Sequence, residues 1–364
     1  MLLLLLAAAL ATTPAQERQV PEFRADLALI RLDVSAVDRA GRPVAGLRAE
    51  DFRVTEDGRP VAITYFEAVE AAFVDPQLAD EDRVEPAVPA RRRIFLLVDA
   101  GAMSRGQMIR ARDGAVRFVH DRAQPGDWVR IVNLFTGGAW DGRIPEDRFR
   151  LEMAARALDS GGSLWADARS ALGGIEERFE SGGDGEPTEA ETQGRFLSMF
   201  SQASGLLGTL ETLLVQLGGL EGRKAVVLIS PGFPQLRGLD RRLEHVATLA
   251  RDAAAAVYFV DSAGFDGLMP EPGRALPPAF ESAWNRSGGA QDLAEATGGF
   301  TSRFSNALAP ALARVGAEMR TYYVLGYVPN RPDDGRFHDV RVRADVEGVR
   351  VRTKKGYLAG GRRR

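Results

Sequence analysis

The clearest candidate for chemistry in this sequence is an aspartate, Asp99, that directly follows a run of apolar residues, Ile94 to Val98. A run of this kind is typical of a strand that is buried on both faces of a parallel sheet. The carboxylate is then expected at the carboxyl end of the strand, where open α/β sheets bind their ligands. The sequence therefore predicts a functional edge around Asp99.

A second candidate is Ser230, because the strand predicted at 224–230 ends in LISPGFP and places this hydroxyl at a strand-to-helix turn. A hydrolase nucleophile at such a turn would have the flanking glycines of a G-x-S-x-G motif and a histidine partner. The complete motif is absent, and the three histidines, His120, His245 and His338, fall in helices or in the C-terminal strands. Structural roles are favoured for them, and a serine hydrolase is kept as the enzymatic alternative.

The composition excludes several other classes of function. The 364 residues include no cysteine and have a net charge of -3, so there are no thiolate metal sites and no charge argument for a nucleic-acid partner. Neither a P-loop nor a G-x-G-x-x-G motif follows the first strand of the alternating region, and no H-E-x-x-H spacing is present. We therefore expect no cofactor.

The N-terminus predicts export. Leu2 to Ala11 is an unbroken apolar run, and small residues follow it up to Ala15. This pattern is typical of a signal peptide at residues 1–15, and the run is too short for a stable membrane anchor. No later segment has the pattern of a membrane span, so we expect a periplasmic, secreted or cell-surface protein.

The rest of the chain is predicted to form two structural units. Alternating strands and helices at 93–320 imply an α/β fold with a doubly wound, mostly parallel sheet. Within it we predict strands at 94–99, 128–135, 225–230, 256–261 and 300–303, and helices at 103–122, 146–158, 164–180, 196–217 and 306–319.

An additional small β domain is expected from the two ends of the chain. It would combine the N-terminal β unit at 22–70 with the strands at 321–358, because each segment alone is too small for a stable core. Hairpins are predicted around Asp57-Gly58 and around Glu347-Gly348. A linker at 71–92 and a basic tail at 359–364 complete the chain.

Four stretches in order resemble the von Willebrand factor type A (VWA) domain family, and in particular its exported bacterial branch, the VWFA-related acidobacterial-type proteins. They are LDVSAVDRAGRPVAGLRAEDFRVTEDGRPVAITYFE, RRRIFLLVDA, DLAEATGGFTSRFSNALAPALARVGAEMRTYYVLGYVP and VRVRTKKGYL. The resemblance implies a Rossmann-like sheet with a metal-ion-dependent adhesion site on one edge. It also implies that the protein binds other proteins rather than catalysing a reaction.

The adhesion motif of the family, D-x-S-x-S, is only partly present. Asp99 supplies the acid, but Gly101 and Met103 stand at the serine positions, and Ser104 lies one place out of register. Gly101 offers no side-chain oxygen, and the sulfur of Met103 suits Mg²⁺ poorly.

The other two positions of the motif are also altered. Ser163 would supply the hydroxyl of the family's threonine, and Pro231 replaces the acid of the T-D-G turn. The remaining ligands, Asp99, Ser104 and Ser163, are too few for tight Mg²⁺ binding, so a degenerate site with at most weak Mg²⁺ affinity is expected. The alternative role for Asp99 is to cap the turn that follows it.

These inferences predict an exported, non-enzymatic protein that binds a protein partner along one rim of the sheet. The alternatives are a Mg²⁺-dependent adhesin and, less favoured, the serine hydrolase. The expected rim comprises 99–105, 136–140, 161–165, 231–237 and 263–289. Its expected contact residues are Asp99, Ser163 and three aromatic anchors, Trp140, Trp165 and Phe233, although each anchor could instead pack against the sheet edge.

Overall fold

The computed structural model describes residues 29–70, 92–159, 189–220, 222–264, 287–329 and 334–359. Several predictions therefore concern residues outside these ranges. They are the signal peptide at 1–15, nearly all of the linker at 71–92, the helix at 164–180 and the tail beyond 359. The rim segment 161–165, with Ser163 and Trp165, and most of the rim segment 263–289 also lie outside these ranges.

The strands, in chain order, are β1 (Ile30–Val37), β2 (Phe52–Glu56), β3 (Arg59–Val61), β4 (Tyr65–Glu70), β5 (Arg93–Val98), β6 (Trp128–Asn133), β7 (Ala139–Arg143), β8 (Lys224–Ser230), β9 (Ala255–Asp261), β10 (Thr301–Ser302), β11 (Thr321–Tyr327), β12 (Phe337–Ala344), β13 (Arg350–Arg352) and β14 (Gly356–Leu358). The described α-helices are α1 (Arg105–Arg117), α2 (Arg148–Arg156), α3 (Glu189–Leu217), α4 (Asp240–Asp252), α5 (Gly288–Ala296) and α6 (Ala309–Glu318).

The fold is mixed α/β and contains a six-stranded, mostly parallel sheet in the order β10-β9-β8-β5-β6-β7. Only β7 runs antiparallel to its neighbour. Every residue of β8 and β9 is buried, which explains why their sequences are apolar runs. Strand β7 was not predicted from the sequence, since its AWDGR segment is largely exposed and has no apolar run.

Helices cover both faces of this sheet, and the alternation of side chains along β5 separates two cores. Ile94, Leu96 and Val98 pack with residues of α1, α2 and α6. Phe95 and Leu97 point to the other face and pack with residues of α3, α4 and α5. None of the helices in the described part of the chain combines the length and hydrophobicity needed to cross a bilayer.

The remaining strands form two antiparallel four-stranded sheets, β13-β1-β11-β4 and β14-β12-β2-β3. In both sheets, strands from before residue 71 pair with strands from after residue 320. Leu32, Phe52, Tyr323 and Val340 contribute to the core that these strands share.

One predicted hairpin is confirmed and the other is wrong. Strands β2 and β3 pair around Asp57 and Gly58, whose positive φ values of 49° and 77° are those of a tight hairpin turn. Around Glu347-Gly348 no hairpin forms, because both edges of β12 are already paired with β2 and β14. Strand β13 instead pairs with β1, where Val351 lies opposite Ala36.

Candidate functional site

The carboxyl edge of the six-stranded sheet brings Asp99 and Ser230 into direct contact. Asp99 directly follows β5, and Ser230 ends the neighbouring parallel strand β8. The Asp99 N–H donates to Ile229 O at 3.0 Å. The Ser230 hydroxyl donates to Asp99 Oδ2 at 2.7 Å, and the N–H of Gly232 donates to Ser230 Oγ at 3.0 Å. The strand pairing therefore produces a fixed serine–carboxylate pair at the edge.

Among the described residues, no histidine lies beside this pair. The Ser230 side chain is fully buried, at 0% exposure. His120 contacts Glu152, His338 contacts two aspartates, and His245 is exposed on α4. Since no described histidine contacts Ser230, the hydroxyl has no general base other than the carboxylate it already binds.

Metal binding at the edge is opposed by Phe135, which occupies the space beside Gly101. A Cβ added at Gly101 would lie 2.6 Å from the Phe135 ring, so a serine side chain does not fit there. Met103, at the second serine position, is buried. Within the described ranges, the only histidine and acidic side chains grouped closely enough to share an ion are Glu56, Asp57 and His338, in another sheet. At these two positions the described edge therefore supplies no side-chain oxygen, whereas Mg²⁺ requires several oxygen ligands.

The structure gives Ser104 a role different from the expected metal ligand. Its hydroxyl accepts from the Gln107 N–H at 3.3 Å, while its own N–H donates to Gln107 Oε1 at 3.1 Å. This reciprocal pair is a capping box that starts α1. The capping alternative for Asp99 is also corrected, since its side chain forms no cap bond at the following 3₁₀ turn and accepts from Ser230 instead.

Asn133, which was not predicted as a functional residue from the sequence, shapes the loop that carries Phe135. Its Oδ1 accepts from the N–H groups of Phe135 and Thr136 at 3.0 and 3.2 Å, and its Nδ2 donates to Asp159 O at 2.9 Å. The signal that could have identified it is a polar residue at the end of an apolar strand. Phe135 itself remains 40% exposed.

A second polar segment at the same edge follows β9. Asp261 accepts from the Ala263 N–H at 2.8 Å, and Arg110 of α1 donates to the carbonyl oxygens of Ser262 and Ala263, both at 3.1 Å. Burial lowers the pKa of the nearby Arg303, and the charge of Asp261 opposes this shift. These contacts fix the backbone of the edge beside β8.

The expected aromatic anchors have different environments. Trp140 is half-buried on β7 and packs against the core that contains α1 and α2. Phe233 is only 5% exposed and belongs to the core on the opposite face. A Cβ at Gly289 of α5 would lie 2.5 Å from the Phe233 ring, so this glycine makes room for it. The expectation that Phe233 is an exposed anchor is therefore corrected.

Comparisons with known proteins do not assign this site. The chain matches no protein-family model and no curated protein. The geometry of the edge places the partly exposed ring of Phe135 beside Gly101, two residues after the carboxylate that the buried Ser230 holds.

Proposed function

We propose that this protein is a non-enzymatic binding protein that holds a protein partner at the carboxyl edge of its six-stranded sheet without a bridging metal ion. The observation that carries the proposal is the position of Phe135. Its ring fills the space that a ligating serine at position 101 would need, and it remains partly exposed. An exposed aromatic ring beside fixed polar groups is typical of a residue that anchors a protein interface.

The strand order supports a doubly wound, VWA-like arrangement as part of this proposal. When the strands of this sheet are numbered in chain order, with β5 as the first, their order from the β7 edge to the β10 edge is 3-2-1-4-5-6. In this order, ligands bind where the first and fourth strands are neighbours, because the chain leaves in opposite directions there. Those two strands are β5 and β8, which carry Asp99 and Ser230.

Export is also part of the proposal. It is supported by the apolar leader of the sequence, Leu2 to Ala11, and its small-residue continuation. The proposed partner is accordingly a protein of the periplasm, the cell surface or the medium.

The proposal is tested by crosslinking the full chain in its native host and identifying partners by mass spectrometry. Capture of a partner is expected to be equal in EDTA and in millimolar Mg²⁺. Phe135→Ala is expected to weaken capture at least tenfold, because it removes the exposed ring at the edge. The matched control is Phe149→Ala, which removes a more exposed ring near the start of α2, a helix that follows the end of β7 at the opposite edge of the sheet.

Three results would contradict the proposal. Equal capture by wild type and Phe135→Ala would exclude the edge as the interface. Capture that is lost in EDTA, and that Asp99→Ala also abolishes in Mg²⁺, would favour the metal-dependent adhesin. Labelling of Ser230 by a serine-reactive phosphonate would favour the hydrolase.

A further inference from the structure

A group of possible metal ligands lies in the sheet β14-β12-β2-β3, away from the edge described above. Glu56 ends β2, Asp57 begins the β2–β3 turn, and His338 lies on the paired strand β12. Each offers one ligand atom, and these atoms all lie within 4.8 Å of one another. Glu56 and His338 are buried, whereas Asp57 is open to solvent.

Two carboxylates and one aromatic ring orient the imidazole of His338. Its Nε2 lies 3.0 Å from Asp334 Oδ1, and its Nδ1 lies 2.8 Å from Asp57 Oδ2. The ring stacks on Tyr357 with 5.3 Å between centroids. Both contacts are hydrogen bonds. With Nε2–H donating to Asp334, removal of the proton between Nδ1 and Asp57 leaves the Nδ1 lone pair free to bind an ion there. A carboxylate that accepts from the second nitrogen in this way is the usual partner of a metal-binding histidine.

A buried tyrosine hydroxyl gives an independent indication that a ligand belongs here. Tyr357 donates to Glu56 Oε2 at 3.3 Å. The hydroxyl of Tyr327, at 0% exposure, forms no well-aligned hydrogen bond in the described part of the chain, although the Glu56 carboxylate lies near it. A buried hydroxyl without a well-aligned partner is costly, which favours an additional polar group in this cluster.

We propose that Glu56, Asp57 and His338 bind one Zn²⁺ ion, with Asp334 as a positioning residue for the imidazole. One imidazole nitrogen and two carboxylates are a ligand set that suits Zn²⁺, whereas Mg²⁺ prefers oxygen ligands and water. Asp57 is exposed, so the ion has a path from solvent and keeps a coordination position for water. Zn²⁺ would join the β2–β3 turn to β12.

The test uses the full chain, freed of metal with EDTA and then titrated with Zn²⁺ by calorimetry. One ion per chain is expected to bind, and the melting temperature is expected to rise with Zn²⁺ and not with Mg²⁺. Asp57→Asn is expected to weaken binding at least tenfold. Asparagine tolerates the positive φ of 49° at this position and keeps an oxygen for the Asp339 N–H, so this variant preserves the turn.

Three control variants make the test specific. Asp339→Asn changes a partly exposed acid on β12 that pairs with Arg341, and it should leave Zn²⁺ affinity unchanged. His120→Asn should also have no effect, because it removes the separate surface pair of His120 and Glu152. Asp99→Ala should leave Zn²⁺ binding intact, which separates this site from the proposed partner edge.

The proposal is overturned by either of two results. The first is the absence of stoichiometric Zn²⁺ binding to wild type. The second is Zn²⁺ binding that Asp57→Asn, folded as judged by its melting temperature in EDTA, leaves unchanged, or that His120→Asn abolishes.

Discussion

The carboxylate of Asp99 and the hydroxyl of Ser230 form a short hydrogen bond of 2.7 Å at the sheet edge. Hydrogen bonds to a charged acceptor are stronger than those between neutral groups, and this one lies on a fully buried serine. The pair therefore stabilises the edge, while Phe135 supplies its exposed apolar surface. In the described structure, the Ser230 hydroxyl therefore holds the Asp99 carboxylate in place.

The different burial of two phenylalanines gives a test at this scale. Phe233→Ala is expected to lower the free energy of unfolding by about 3 kcal/mol, because it empties a packed core position. Phe135→Ala, at a partly exposed position, is expected to lower it by less than about 1 kcal/mol. Urea unfolding of the two variants measures the difference, and equal losses would contradict the placement of Phe233 in the core.

Lys224 predicts a pH dependence of stability. Its Nζ is buried and donates to the carbonyl oxygens of Leu220 and Ala253, and burial, followed by the charge of Arg93, lowers its pKa to about 8. The unfolded chain then binds more protons than the folded chain between about pH 8 and pH 10. The contribution of Lys224 to the free energy of unfolding therefore rises with pH in this window, by up to about 1.4 kcal/mol per unit.

The variant Lys224→Met isolates this effect. Denaturant unfolding at several pH values should show that the variant lacks the rise that wild type gains from Lys224. Lys355→Met, which changes an exposed lysine, should keep the wild-type slope. Identical slopes for wild type and Lys224→Met would show that the lysine titrates normally.

At the scale of elements, the contact between β9 and the turn before β10 depends on a close approach of two backbones. A Cβ at Gly299 would lie only 1.8 Å from Val257 O. On the same segment, the hydroxyl of Thr297 accepts from the Val257 N–H at 3.0 Å, and the Phe259 N–H donates to Phe300 O at 3.0 Å. The edge strand β10 can therefore join the sheet only if residue 299 has no side chain.

This close approach predicts opposite effects for two glycine substitutions. Gly299→Ala is expected to destabilise the protein by more than about 2 kcal/mol, since the backbone must move. Gly205→Ala is expected to stabilise it by roughly 0.5–1 kcal/mol, because Gly205 is an exposed position within α3 with open space around its Cβ. Thermal unfolding measures both effects, and a stable Gly299→Ala variant would contradict the β9 contact.

At the scale of the whole molecule, buried charges join the antiparallel sheets to the α/β part. The carboxylate of Glu318, at the end of α6, is fully buried and accepts from Arg314 and from Arg352 of β13. Both guanidinium groups also lie over the ring of Phe300, at 4.0 and 5.2 Å from its centroid. Arg223, before β8, donates to Ser35 of β1 at 2.9 Å.

The buried carboxylate is the centre of this junction, so its removal should destabilise the molecule. Glu318→Gln is expected to lower the free energy of unfolding by about 3 kcal/mol, because Arg314 and Arg352 lose their buried counter-charge. Glu347→Gln, at an exposed position, is the matched control and should change it by less than about 0.5 kcal/mol. Similar small effects of both variants in urea unfolding would show that the junction contributes little.

The buried strands, the mixed α/β class and the hairpin at Asp57-Gly58 could be predicted from the amino-acid sequence, because burial on both faces and tight turns leave a local pattern of residue types. It did not reveal β7 or α5, since an exposed edge strand and a short helix after a Pro- and Gly-rich stretch lack such a pattern. The VWA resemblance and export stay predictions.

Contacts between residues that are distant in the chain could not be predicted from the sequence. The contact of Asp99 with Ser230 joins positions 131 residues apart, and it exists because β5 and β8 are neighbours in the sheet. The same is true of Phe135 over Gly101 and of His338 beside Asp57. The physical reason is that a local pattern records whether a residue is buried, whereas strand order and packing determine what it is buried against.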